Sequence, residues 1–212
     1  MASVISVNVA VPRVVDGIGT TGIDKQPTPG PVTIAVPGYG GSGVAGDEIF
    51  EKDVHGGIDQ AVYAYAREDL DTWQDDLERP LSNGNFGENL TTGGVDVTGA
   101  LIGERWRIGP DVVLEVNAPR IPCNTFARWM DEQRWVKRFT ARALPGAYLR
   151  VVTPGTIRAG DPVEVVHRPT HDLTVGDTFR ALTTEPALLP RLVDVEALPA
   201  YIRERAIRRT TS

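Results

Sequence analysis

Cys123 is the only cysteine of the chain, and it closes the segment Pro119-Arg120-Ile121-Pro122-Cys123. The thiolate, not the thiol, attacks electrophiles and binds soft metals, and a nearby arginine and a following helix both favour it. Arg120 stands three residues upstream, two prolines stiffen the approach, and helical spacing begins at Asn124. The same residues also fit a buried, inert cysteine that packs as a small hydrophobe, and the segment alone leaves the two readings level. A single cysteine excludes an internal disulfide framework and any multi-cysteine zinc or iron–sulfur site.

His55-Gly56-Gly57 puts an imidazole on a turn that glycine permits, where it either anchors an anionic ligand or caps the turn. Cys123 with His55 is also the minimum for a thiol hydrolase, although no cysteine-protease signature is present. The glycine-flanked loop Phe86–Gly94 offers Glu88, Asn89, Thr91 and Thr92, a set suited to hydrogen bonding a heteroaromatic ring or a phosphate and equally ordinary in turns. Gly38-Tyr39-Gly40-Gly41-Ser42-Gly43 satisfies G-x-G-x-x-G, but Gly46 and His55-Gly56-Gly57 interrupt the helix that a dinucleotide site requires. It is read as a loop, and the chain is expected to bind neither flavin nor NAD. His167 and His171 fall in a presumed linker, and no His/Asp/Glu spacing resembles a zinc or iron site.

The elements that must position these groups are mostly strands. Short β-type runs recur between Gly and Pro at Val4–Val9, Val32–Val36, Ala61–Tyr65, Val112–Val116, Tyr148–Val152 and Val163–Val166. Regular helices do not alternate with them, which disfavours a doubly wound fold and favours a barrel or sandwich. Helical spacing predicts Arg67–Leu77, stopped by Pro80, and Asn124–Phe139 directly after Cys123. After Pro169 the pattern changes to three short helices, Val175–Leu182, Ala187–Val193 and Pro199–Arg208. The net charge of −6 argues against nucleic-acid binding, and the run Arg203, Arg205, Arg208, Arg209 is read as a solvated helix face. No apolar run is long enough to span a bilayer, so no membrane association and a cytoplasmic location are expected.

Taken in order, His55-Gly56-Gly57, Ala61–Tyr65, Phe86-Gly87-Glu88-Asn89-Leu90-Thr91, Ile102–Gly109, Pro119–Cys123, Pro145-Gly146-Ala147-Tyr148-Leu149-Arg150 and Gly160-Asp161-Pro162-Val163 closely resemble the stand-alone bacterial MOSC proteins. The resemblance runs to about Arg168, and the tail resembles the three-helix extension of one branch. It implies a mainly β fold: a MOSC-type β-barrel with a few inserted helices over residues 1–168, and a small C-terminal α-helical segment over 169–212.

It further implies the molybdenum cofactor, a molybdopterin with a terminal phosphate, with Cys123 as metal ligand and catalytic centre. Asn89 and Thr91 are expected to hydrogen-bond the pterin, Arg120 to supply charge near the thiolate or phosphate, and His55 and Arg150 to meet the anionic end. The activity implied is reduction of N-hydroxylated compounds such as 6-N-hydroxylaminopurine, with electrons from a separate flavin reductase or small electron carrier. A noncatalytic cofactor carrier or a sulfur-handling protein is the alternative, and a homodimer is allowed. One departure stands out: the family's Gly-Asp is usually followed by a basic or amide residue, whereas Gly46-Asp47 is followed by Glu48.

Overall fold

The structure, a computed structural model, describes residues 1–210. Strands form where β-branched and aromatic residues cluster, and they are short because Gly, Pro and Asp interrupt them. In chain order they are β1 (Ser3–Ala10), β2 (Arg13–Val15), β3 (Gly19–Thr21), β4 (Lys25–Pro27), β5 (Val32–Ile34), β6 (Val62–Ala66), β7 (Leu90–Gly93), β8 (Arg105–Ile108), β9 (Val112–Pro119), β10 (Ala147–Thr153), β11 (Gly155–Ile157) and β12 (Val163–His167). The helices are α1 (Arg67–Leu77), α2 (Asn124–Met130), α3 (Trp135–Arg142), α4 (Val175–Thr183) and α5 (Ala200–Thr210), with 3₁₀ turns at Ile58–Gln60 and Pro186–Leu192.

Eight strands share one sheet in the order β12-β8-β9-β10-β6-β7-β1-β4, and β5 with β11 and β2 with β3 make separate ribbons. All neighbours run antiparallel except β6 and β7. That parallel pair needs a crossover, which α1 supplies.

The expected closed barrel is therefore corrected to an open, mixed sheet in a mixed α/β fold. The sheet does curl until β1 approaches the entry to β12. There Val4 N–H donates to Asp161 O at 2.9 Å, Gly160 N–H to Val4 O at 2.8 Å and Val163 N–H to Ala2 O at 3.0 Å. The seam stays an isolated bridge between Ser3 and Pro162, because proline has no N–H with which to extend a ladder.

A second correction concerns Asn124–Phe139, which is two helices. Asp131 and Arg134 both adopt left-handed backbone (φ 51° and 55°), and this breaks the run after Met130. The bend turns Phe126 of α2 and both Trp135 and Phe139 of α3 into one aromatic cluster with Trp73, Phe86 and Tyr65. The predicted Ala187–Val193 helix is instead a 3₁₀ turn over Pro186–Leu192, with Pro190 denying it an α-type hydrogen bond.

The larger apolar core lies inside the curled sheet and continues into the C-terminal helices through Leu173, Val175, Leu189, Leu192 and Ile202. The aromatic cluster includes Tyr63 and Tyr65 of β6, and Cys123 packs against it. Among the described residues, no helix is long and apolar enough to cross a membrane.

Candidate functional site

β6, β9 and β10 are adjacent, with Tyr148 of β10 opposite Tyr63 of β6 and Ala118 of β9. Two buried hydroxyls lock this end of the sheet: Tyr63 donates to Pro145 O and Tyr65 to Leu144 O, each at 2.8 Å. Gly146 sits between them at φ 67°, where an added Cβ would lie 2.6 Å from Ala64 O and 2.7 Å from the Tyr65 ring. β9 ends at Pro119, and the next four residues carry Arg120 and Cys123 over this platform. A cleft opens there, lined among others by Cys123, Arg120, His55, Lys25, Tyr63 and Tyr148.

Cys123 is half-buried and caps α2, its Sγ accepting the Phe126 N–H at 3.5 Å. Burial pushes the thiol up. Hydrogen bonding with His55, the Arg120 charge and the Phe126 N–H together outweigh burial and bring it down to about 6. The group is thus mostly thiolate at neutral pH. α2 is too short for a strong macrodipole, so the local N–H and the two basic side chains carry the effect.

Arg120 is buried, with Nη2 4.0 Å from Cys123 Sγ and its guanidinium centred 4.2 Å over the Phe126 ring and 5.7 Å over Tyr63. Its Nη1 is buried without a hydrogen-bond partner. An unpaired guanidinium N–H costs free energy unless a ligand accepts from it. His55 Nε2 lies 3.6 Å from Glu51 Oε2, and Glu51 Oε1 accepts from Thr125 Oγ1 at 3.2 Å, so Glu51 ties the imidazole to α2.

Opposite, Lys25 is buried and bonded through Nζ to both oxygens of Asp47 at 2.5 Å. Burial lowers the lysine's affinity for its proton, and Asp47 opposes that shift. Asp47 also accepts from Ser42 Oγ at 2.7 Å, Ala10 N–H at 2.8 Å and Asn89 Nδ2 at 2.8 Å. The Gly46-Asp47 pair thus braces the cleft wall, while Glu48 lines the cleft and is exposed.

Of the residues expected at the site, Cys123, Arg120, His55 and Asn89 line one cleft. Asn89 nevertheless spends its amide internally, accepting Tyr63 N–H at 3.1 Å and donating to Asp47 and to Asn8 O at 3.3 Å. Thr91 does not reach the cleft. Its Oγ1 donates to Glu88 Oε1 at 2.9 Å and accepts from Asn8 Nδ2 at 3.0 Å, inside a buried network. Arg150 lies elsewhere too, pairing with Asp59 at 2.7 Å and Ala197 O at 2.9 Å to fasten the C-terminal segment. Alternation does not separate them, since Asn89 and Thr91, like Tyr148 and Arg150, are two residues apart; what differs is the partner each meets, Glu88 and Asn8 for Thr91 and Asp59 and Ala197 O for Arg150.

Sequence reasoning missed Lys25, Glu51 and Gln60, all in the cleft lining. Glu51 had a faint signal, four residues before His55; Lys25 had none, because only folding brings β4 to this wall.

A MOSC-domain profile matches residues 51–164, which include His55, the sheet platform and Cys123. The chain belongs to the MOSC-domain family. Within it the chain is of the stand-alone YiiM/YflK type. It is 32% identical over 176 residues to YflK of Bacillus subtilis, covering 82% of this chain and 77% of that relative. The crystal structure of YiiM from Geobacillus stearothermophilus superposes with a TM-score of 0.80 at 26% identity, covering 99% of both chains. A protein of Gibberella moniliformis named "Reductase" is 32% identical over 188 residues; the match covers 85% of this chain and 32% of that relative.

The cleft suits a molybdopterin. Cys123 offers it a soft, largely ionised donor. Arg120 Nη1 offers a free donor for an anionic or oxo group beside it. Among the described residues, no three or more His, Cys, Asp and Glu side chains gather as a metal site, so a metal held at Cys123 would draw its other ligands from the cofactor.

Proposed function

We propose that this MOSC protein is a molybdenum-cofactor-dependent reductase of N-hydroxylated compounds such as 6-N-hydroxylaminopurine, with Cys123 as the metal ligand. The observation that carries the reading is the Cys123 sulfur 4.0 Å from Nη2 of the buried Arg120, whose Nη1 has no hydrogen-bond partner. The bound cofactor supplies two-electron redox chemistry and an oxygen-accepting centre. The net reaction is R–NH–OH with two electrons and two protons giving R–NH₂ and water, in which the N–O bond breaks. Electrons come from a separate flavin reductase or small electron carrier.

The chain's own residues bind, orient and exclude water. Cys123 fixes the cofactor, and Arg120 offers its free N–H to negative charge next to the sulfur. Tyr63 and Tyr148 form a rigid aromatic floor, with ring centroids 5.2 Å apart. Lys25, paired with Asp47, forms the opposite wall. The Glu51-oriented imidazole of His55 borders the sulfur and is placed to hold a proton there. The name carried by the fungal relative agrees with a reductase.

The test is metal analysis of protein from a molybdate-replete host, followed by reduction of hydroxylaminopurine and hydroxyurea with a chemical electron donor. Wild type should contain molybdenum and turn over both, and Cys123→Ser should lose the metal. Wild type without molybdenum overturns the reading. Metal-loaded protein inert towards all N-hydroxylated compounds makes it a cofactor carrier or sulfur-handling protein.

A further inference from the structure

The glycine-rich loop at 38–43, which mimics a dinucleotide motif, builds a different feature. Gly40 (φ 59°) packs so closely on Lys52 that an added Cβ would lie 2.5 Å from the lysine Cβ and 2.8 Å from its carbonyl oxygen. Gly56 (φ 79°) presses on the Gly40 and Gly41 carbonyls, where a Cβ would come within 2.8 Å, and Gly57 N–H donates to Gly41 O at 2.8 Å. The loop and the His55 turn thus lie backbone against backbone and form one fixed wall.

Beyond that wall runs a groove of about 650 Å³ that shares His55, Gly56, Gln60 and Tyr148 with the Cys123 cleft. Beside Lys52, Asp53 and Asp59 its lining exposes large apolar side chains: Tyr39 is 83% exposed, Val54 63%, Ile58 59%, Tyr201 53% and Ile121 41%. The two tyrosines are held in place, Tyr39 by its hydroxyl donating to Asp53 at 3.1 Å and Tyr201 by Ile202 and Ala206 of α5, which are sunk in the core. At the junction of groove and cleft, Gln60 Oε1 is buried without a hydrogen-bond partner.

We infer that this groove is a specificity subsite for the cleft, in which Tyr39, Ile58, Ile121 and Tyr201 receive a flat, apolar ring and Gln60 Oε1 accepts an N–H of the bound molecule. The inference rests on the proposed reductase reading for what happens at Cys123. The ligand is a ring-bearing amine or hydroxylamine whose nitrogen end passes Gln60 towards Cys123. Open aromatic faces next to a buried, unpaired acceptor suit that combination of ring stacking and N–H donation. The C-terminal helix thereby contributes to substrate choice through Tyr201.

The test compares a ring-bearing and a ringless substrate in the molybdenum-loaded protein. Tyr201→Ala and Gln60→Leu should each raise KM for 6-N-hydroxylaminopurine about three- to tenfold relative to that for hydroxyurea, with kcat for the purine little changed. Equal effects on both substrates would overturn the subsite. Calorimetric titration with adenine, the unreactive ring-bearing amine, gives a second readout that needs no turnover. Binding by wild type that weakens in both variants supports the groove even if no N-hydroxylated compound is reduced, in which case the reductase reading alone fails. No binding by wild type, or equal binding by wild type and variants, overturns the groove even if turnover is found.

Discussion

At Cys123 the balance between burial and stabilisation decides the chemistry. Burial alone would leave a neutral, inert thiol; His55, Arg120 and the Phe126 N–H reverse the outcome. Alkylation of the metal-free protein with iodoacetamide should therefore rise with pH around a midpoint near 6, and Arg120→Met should move that midpoint upward. A wild-type midpoint near the ordinary cysteine value would contradict the geometry. Asp69 shows the opposite case: burial first, then Asp96 and Glu68, raise its carboxyl to about 6. A raised carboxyl favours the folded state fully below the unfolded value of 3.8 and loses that contribution as pH rises through 6. Asp69→Asn should accordingly stabilise the protein by about 1 kcal/mol at pH 7, after allowance for solvent screening, and by little at pH 4, as read by urea unfolding.

At the scale of elements, one carboxylate joins four pieces of chain. Asp47 accepts from β1 at Ala10, β4 at Lys25, the glycine loop at Ser42 and the start of β7 at Asn89. Asp47→Ala would strand a buried lysine charge, and the expected loss is about 3–5 kcal/mol in urea unfolding. Adding Lys25→Met should restore part of it, because the uncompensated charge then disappears; no recovery would show that the remaining three hydrogen bonds dominate. The position after Gly46-Asp47, where Glu48 departs from the family pattern, faces the cleft, so the departure alters the cleft rim rather than this brace.

Across the whole molecule, side chains of the C-terminal helices pack into both apolar clusters. α4 places Val175, Ala181 and Leu182 in the sheet core and Phe179 in the aromatic cluster, 6.2 Å from Phe139. Phe179→Ala should therefore cost about 3–5 kcal/mol and leave a single cooperative transition by both near- and far-UV circular dichroism. A separate early transition for the tail would instead support a boundary at residue 168.

The sequence by itself determined the family, the strand-rich character, α1 with its limits at Arg67 and Leu77, and the candidacy of Cys123, Arg120 and His55. These are legible because local chemistry writes them: alternation, helical spacing, a proline-stiffened cysteine and a turn that only glycine permits. Tertiary structure decided that Thr91 and Arg150 serve internal networks, that Lys25, Glu51 and Gln60 join the cleft, and that the sheet remains open at Pro162. It also decided that the run after Cys123 bends at Asp131 and Arg134. The physical reason is common to all of them. Which side of a strand faces the cleft, and which distant segment supplies its partner, depends on contacts across tens of residues, and no local pattern encodes those contacts.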